Sequence, residues 1–206
     1  LNDGTGKFTN ASSQLPQEMR RPDDIYLMQS MIADLNNDGI GDIVAAYADG
    51  ASENRSGYIL LSGGNSSFGN RQLVALPPGR YGAGKTKFNN GAIIDINKDG
   101  LPDIVFSITR ADPYYVGRTI QVIMNKGNGV FIDETNERVV APAYLDSAEG
   151  EGSLHVVDIN GDGTPDLVHS GSTPFNSTDP HGLTVYLNHN GVFHVMESSA
   201  FAWVQP

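Results

Sequence analysis

The chain has 206 residues, 39% of them hydrophobic, no cysteine, and a formal net charge of −11 from 24 acidic and 13 basic side chains. This excludes disulfides, thiolate metal sites and a cysteine nucleophile, and with no Lys/Arg cluster it argues against nucleic acid as a partner. No apolar run approaches the roughly 18 residues of a membrane-spanning helix, and 24 glycines with 11 prolines point to many turns.

In chain order, Leu1-Asn-Asp-Gly-Thr-Gly-Lys-Phe8 reads as a turn leading to an aromatic strand start. Residues 1–26 are therefore assigned to the end of a preceding unit and a linker. The first full unit spans 27–80. Its expected strands are Met31–Leu35, Asp42–Tyr47 and Tyr58–Leu61, with a fourth starting near Phe68. The second unit, 81–145, has Ala92–Ile96, Asp103–Ile108, Ile120–Met124 and a strand from Phe131. The third, 146–206, has Leu154–Ile159, Asp166–Ser170, Leu183–Leu187 and a strand from Phe193. Gly/Asn turns between apolar runs are hairpin signals.

Four short strands repeated three times predict an all-β chain. The expected architecture is a β-propeller segment of three four-stranded antiparallel blades plus the end of a preceding blade. A propeller closes with about four to eight blades. Three blades therefore call for further propeller blades, from the same or another chain.

Between the first two strands of each unit lies an acidic loop, starting at residues 34, 95 and 158. The three loops align without gaps as Asp-x-Asn-x-Asp-Gly-x-x-Asp. Alternate residues of a tight loop face one centre, and hard oxygens gathered there suit Ca²⁺, which takes about six to eight of them. Glycine at the sixth position permits the sharp turn. The expected ligands are Asp34, Asn36, Asp38 and Asp42, then Asp95, Asn97, Asp99 and Asp103, then Asp158, Asn160, Asp162 and Asp166. The seventh-position carbonyls of Ile40, Leu101 and Thr164 complete the three sets. An EF-hand would need a bidentate Glu at the twelfth position. Ala45, Phe106 and His169 stand there, inside strands, so the loops belong to β-hairpins.

These loops, with Leu1–Phe8 and Phe131-Ile-Asp-Glu-Thr135, resemble the FG-GAP/VCBS repeat family. The resemblance implies a Ca²⁺-bearing β-propeller, as in integrin α-subunit heads and many bacterial surface and secreted proteins. It implies an extracellular module, secreted or on the cell surface, that binds a glycan or a protein, with calcium mainly structural. Nothing resembling a catalytic constellation stands out, so the expected role is non-enzymatic. The alternatives are part of a polysaccharide lyase or of a larger surface or toxin assembly.

The polar loops 48–57, 110–118 and 171–182 carry Tyr114, Tyr115, Arg118, Phe175, Asp179 and His181, candidates for a ligand-facing rim. His155 and His169 flank the third acidic loop, and Trp203 is a candidate cap for the last unit. The five histidines show no paired spacing of the kind that binds zinc.

Overall fold

Strands rich in Val, Ile and Phe, punctuated by glycines and asparagines in left-handed turns, fold here into consecutive antiparallel sheets. The computed structural model describes residues 2–20, 26–48, 56–63, 71–82, 84–148, 150–172 and 183–196. The first sheet contains β1 (Tyr26–Ala33), β2 (Asp42–Ala48), β3 (Gly57–Leu61) and β4 (Gln72–Ala75). The second contains β5 (Thr86–Ile94), β6 (Asp103–Arg110), β7 (Thr119–Asn125) and β8 (Phe131–Asp133). A four-residue helix α1 (Thr135–Arg138) and β9 (Val139–Val140) follow. The third sheet is built from β10 (Glu151–Val157), β11 (Asp166–Ser172), β12 (Leu183–His189) and β13 (Val192–Val195). Within each sheet these four strands lie side by side in chain order, all antiparallel.

The first hairpins share one register. Ala33 pairs with Asp42, Ile94 with Asp103 and Val157 with Asp166, so each acidic loop closes at the same point of the ladder.

Side chains alternate between the two faces of a strand, and a strand buried on both faces is apolar throughout. In β6, Ile104, Phe106 and Ile108 face the first sheet, while Val105 faces the third. Leu35, Val44, Ile59 and Leu61 pack on Phe88, Phe106 and Ile123 between sheets one and two. Ile96, Val122 and Met124 pack with Leu154, Leu167, Tyr186 and Phe193 between sheets two and three. On the other side of the first sheet, Leu15 and Met19 of the N-terminal segment cover Ala45, Tyr47 and Leu60. Residues 2–8 form an isolated hairpin turn with an Asn2–Phe8 bridge.

The third sheet departs from the expected four strands. β9 adds a fifth, parallel to β13, with Val139 opposite Phe193 and Val140 opposite His194. Two residues are too few for a period to show in sequence. Two contacts hold them there: Val139 packs on the core between sheets two and three, and Arg138 bonds the β12–β13 turn. Glu134 accepts from Lys126 and from Arg138 Nε at 2.7 Å, and Arg138 Nη1 donates to Gly191 O in the β12–β13 turn at 2.7 Å. Burial raises the Glu134 carboxyl, but Lys126 and Arg138 outweigh it and hold the group below its ordinary value.

Candidate metal-binding loops

All three acidic loops share one backbone path. The fourth and sixth residues are both left-handed: Asn37 and Gly39, Lys98 and Gly100, Gly161 and Gly163, with φ from 59° to 85°. Glycine tolerates that region freely and asparagine better than most. Lys98 does neither, and nothing in the sequence marks it.

The folded-back path aims amides at the carboxylates. Asp34 accepts from Asp38 N at 3.0 Å and Gly39 N at 2.7 Å. Asp95 accepts from Asp99 N and Gly100 N, and Asp158 from Asp162 N and Gly163 N, all within 3.1 Å. Asn36, Asn97 and Asn160 each accept from the amide two residues on. Asp38, Asp99 and Asp162 accept from the amides of Ile40, Leu101 and Thr164 at 2.8–2.9 Å. Side chains of the first, third and fifth positions are thus drawn together in every loop. The third-position amide nitrogen donates to the fifth-position carboxylate at 3.2, 2.9 and 2.8 Å in the three loops. Bonds from Asn160 and Thr164 hold the exposed Asp162 carboxyl below its ordinary value.

The ninth-position aspartates are placed differently. Asp42, Asp103 and Asp166 are fully buried. One oxygen of each accepts the amide of the loop's second residue: Leu35 at 2.8 Å, Ile96 at 3.0 Å and Ile159 at 3.0 Å. The other accepts an amide at the end of the third strand: Ser62 at 2.6 Å, Asn125 at 2.8 Å and Asn188 at 2.8 Å. Each carboxylate therefore ties the loop to a strand two places away. Burial pushes the Asp103 carboxyl up to about 6, against the pull of the two amides. Asp42 is raised for the same reason, with Asp38 and Asp34 adding repulsion.

With the ninth position turned inward, no three Asp, Glu or His side chains surround one point among the described residues. The donors at the first, third and fifth positions, half-buried at Asp34, Asp95 and Asn97 and exposed elsewhere, are all oxygens, two carboxylates and an amide, a set that suits a hard cation. Beside the first loop an open polar groove of about 390 Å³ runs past Asn36, Asp38, Ser62, Gln72 and Asn128.

The loops share one end of the sheets and touch one another. Asn37 donates to Gly100 O at 2.9 Å, linking the first loop to the second. Lys98 of the second loop lies close enough to stabilise the Asp162 carboxylate of the third.

The FG-GAP-like repeat matches residues 34–106 and 95–169. The chain belongs to the FG-GAP-like repeat family. Each FG-GAP-like match begins at the first residue of one acidic loop and runs past the next loop to its twelfth position, Phe106 or His169. The chain is also similar to a T-cell immunomodulatory protein homolog of Plasmodium falciparum (isolate 3D7), 28% identical over 152 residues, or 71% of this chain. It spans 20% of that protein's length.

Asn125 and Asn188 escaped the reading of the repeats, although both stand in a repeated strand-to-turn motif. Asn125 Nδ2 donates to Leu35 O of the first sheet at 2.7 Å and to Pro102 O of its own loop at 3.1 Å. Asn188 Nδ2 donates to Ile96 O of the second sheet at 3.0 Å and to Pro165 O at 3.2 Å. Their carbonyls accept the amides of Gly127 and Gly191. Ser62 occupies the same place in the first sheet and reaches only its own loop, at Gly41 O, 2.8 Å away.

Of the rim candidates, Tyr114 is exposed and stacks edge-on against Tyr115, with Lys87 Nζ 2.9 Å from the Tyr114 hydroxyl. Arg118 is fully buried, packed on Gly171 of the third sheet. His169 is buried against Gly152, a packing role. Phe68, Phe175, Asp179, His181 and Trp203 lie outside the described residues. Among the described residues no helix is long and apolar enough to cross a membrane.

Proposed function

We propose that this chain is a calcium-binding, non-enzymatic β-propeller module of an extracellular protein, its three sheets acting as blades that present loops to a glycan or protein. The observation that carries the reading is the three-fold recurrence of one loop geometry: oxygens of Asp, Asn and Asp gathered together, over a buried Asp that clamps the hairpin. Family membership supports the propeller and the extracellular setting, and the parasite relative's name is consistent with a surface or secreted role.

In this reading Asp34, Asn36 and Asp38 hold one Ca²⁺, Asp95, Asn97 and Asp99 a second, and Asp158, Asn160 and Asp162 a third. The carbonyls of Ile40, Leu101 and Thr164 belong to the same sets. The ion relieves repulsion between carboxylates that the loop crowds together, and by binding only the folded loop it stabilises the fold through mass action.

Calorimetric titration of the stripped chain, with thermal unfolding in Ca²⁺ and in EDTA, tests this. About three ions per chain and a fall in unfolding temperature in EDTA are expected, one ion per loop. No heat of binding and superimposed melting curves would refute the calcium assignment.

A further inference from the structure

His189 and His194 stand at a sequence separation that marks no chelating pair on a helix or along one strand. The β12–β13 hairpin brings them together. Asn190 and Gly191 form its two-residue turn, with φ at 53° and 85°. Positive φ at both places is the backbone that a tight hairpin needs to match the twist of its strands. The turn fixes the register, with His189 opposite Val192 and Leu187 opposite His194. Directly opposed residues share a face, so both histidines project from one side of the hairpin as diagonal neighbours. Both are exposed, and their ring centres lie 5.5 Å apart with the planes tilted by 53°.

A shared zinc ion asks for that separation. Zinc bonds an imidazole nitrogen at about 2.0–2.1 Å, which places it about 3.2 Å from the ring centre. Tetrahedral to trigonal angles at the metal then set two ring centres about 5.2–5.5 Å apart. A square-planar ion would draw them in to about 4.5 Å.

The openness of this hairpin is a property of its place in a sheet. In the second sheet Lys126 follows Asn125, and Ile132 follows Phe131, as His189 follows Asn188 and His194 follows Phe193. Ile132 lies opposite Met124, which is buried against the third sheet. Even with that neighbour in place, the Lys126 side chain is 36% exposed and Ile132 is 45% exposed. Arg138, which reaches Gly191 O in the turn, is already paired with Glu134, and this blunts its repulsion of a cation.

We infer that His189 and His194 form a two-imidazole zinc site on the outer hairpin of the third sheet. Nitrogen donors select zinc over calcium, so this site and the oxygen-lined acidic loops take different ions. Among the described residues no third Asp, Glu or His joins the pair. The other positions of a tetrahedral ion are left to water or to an incoming oxygen or nitrogen ligand.

The test titrates Zn²⁺ into the full chain held in excess Ca²⁺ and follows the imidazole nitrogen resonances of its histidines by NMR. The expected result is about one ion per chain, with resonance changes at His189 and His194 alone. His189→Gln and His194→Gln change exposed side chains and leave the fold intact, and each weakens zinc binding by about tenfold or more. Silent resonances up to about 1 mM Zn²⁺ overturn the inference. So do changes centred on other histidines, or an affinity that either variant leaves unaltered. The rings themselves report, so the outcome is independent of whether the acidic loops hold calcium.

Discussion

The side-chain amide of Asn188 donates to the carbonyl of Ile96, 3.0 Å away across the seam between the second and third sheets. The same side chain also bonds Pro165 O and Gly191 N, so one buried residue joins a loop, a turn and a neighbouring sheet. Serine cannot make all three bonds, as Ser62 shows. Asn188→Ser is expected to cost about 1–3 kcal/mol, the penalty for a stranded buried acceptor. Denaturant unfolding measures it, and a change below about 0.5 kcal/mol, the range of ordinary surface substitutions, would mean the seam is held by apolar packing alone.

Asp103 and Asp99 stand in one loop but have separable tasks. Asp103→Asn sets an amide group against the backbone N–H of Ile96 or Asn125. A loss of about 2–3 kcal/mol is expected whether or not calcium is present. Asp99→Asn leaves those bonds intact. Its cost in EDTA is expected to be small, with the loss appearing as weakened calcium binding at the second loop. Unfolding of both variants in EDTA, followed by calcium titration, separates the two roles.

His169 gives the fold a dependence on acid. Burial chiefly, with the nearby charges of Arg118 and His155, lowers its pKa from 6.5 to about 4. Below pH 6.5 the unfolded chain takes up a proton at His169 that the folded chain refuses, so the His169 contribution to stability is lost as the pH drops from 6.5 toward 4, while Asp103, raised to about 6, works in the opposite sense as the pH falls below 6. His169→Gln is expected to remove the acid-side loss that His169 contributes, so that the variant gains stability relative to the wild type as the pH drops from 6.5 toward 4. Melting temperatures recorded across this range test it: parallel wild-type and variant slopes would assign the dependence to other groups.

Two glycines fail for different reasons. Gly100, with φ at +85°, has open space where a Cβ would sit, so Gly100→Ala costs only backbone strain, about 1–2 kcal/mol. A Cβ at Gly152 would lie 2.1 Å from Nε2 of His169. Gly152→Ala therefore costs about 1–3 kcal/mol through overpacking. Truncating His169 to alanine in the same chain should recover much of that loss, while doing nothing for Gly100→Ala. A double-mutant cycle reads the coupling.

Much of this architecture was legible because the repeat is written twice over, in the acidic loops and in the strand-to-turn motif near Phe131 and Phe193. Apolar runs located β2, β6 and β11 to within two residues at their ends. The first strands were harder. They begin earlier than expected, at Tyr26, Thr86 and Glu151, because polar residues such as Asn89 and Asn90 break the apolar pattern while the ladder continues. The loop spacing led to the candidate oxygens but did not separate the exposed Asp99 from the buried Asp103. That distinction depends on amides from β7, far away in sequence. Asn125 was hidden for the same reason, since its partner at Leu35 lies in another unit.

The pairing of β9 with β13 has a consequence for synthesis on the ribosome. Val139 and Val140 emerge before the third sheet has begun, yet the strand they join is the last of that sheet. The second sheet can pair all of its own strands while β9 still lacks a partner. The link is therefore among the last to close, a long-range contact that slows completion. Until then the nascent chain carries an unpaired strand edge, which a chaperone can shield.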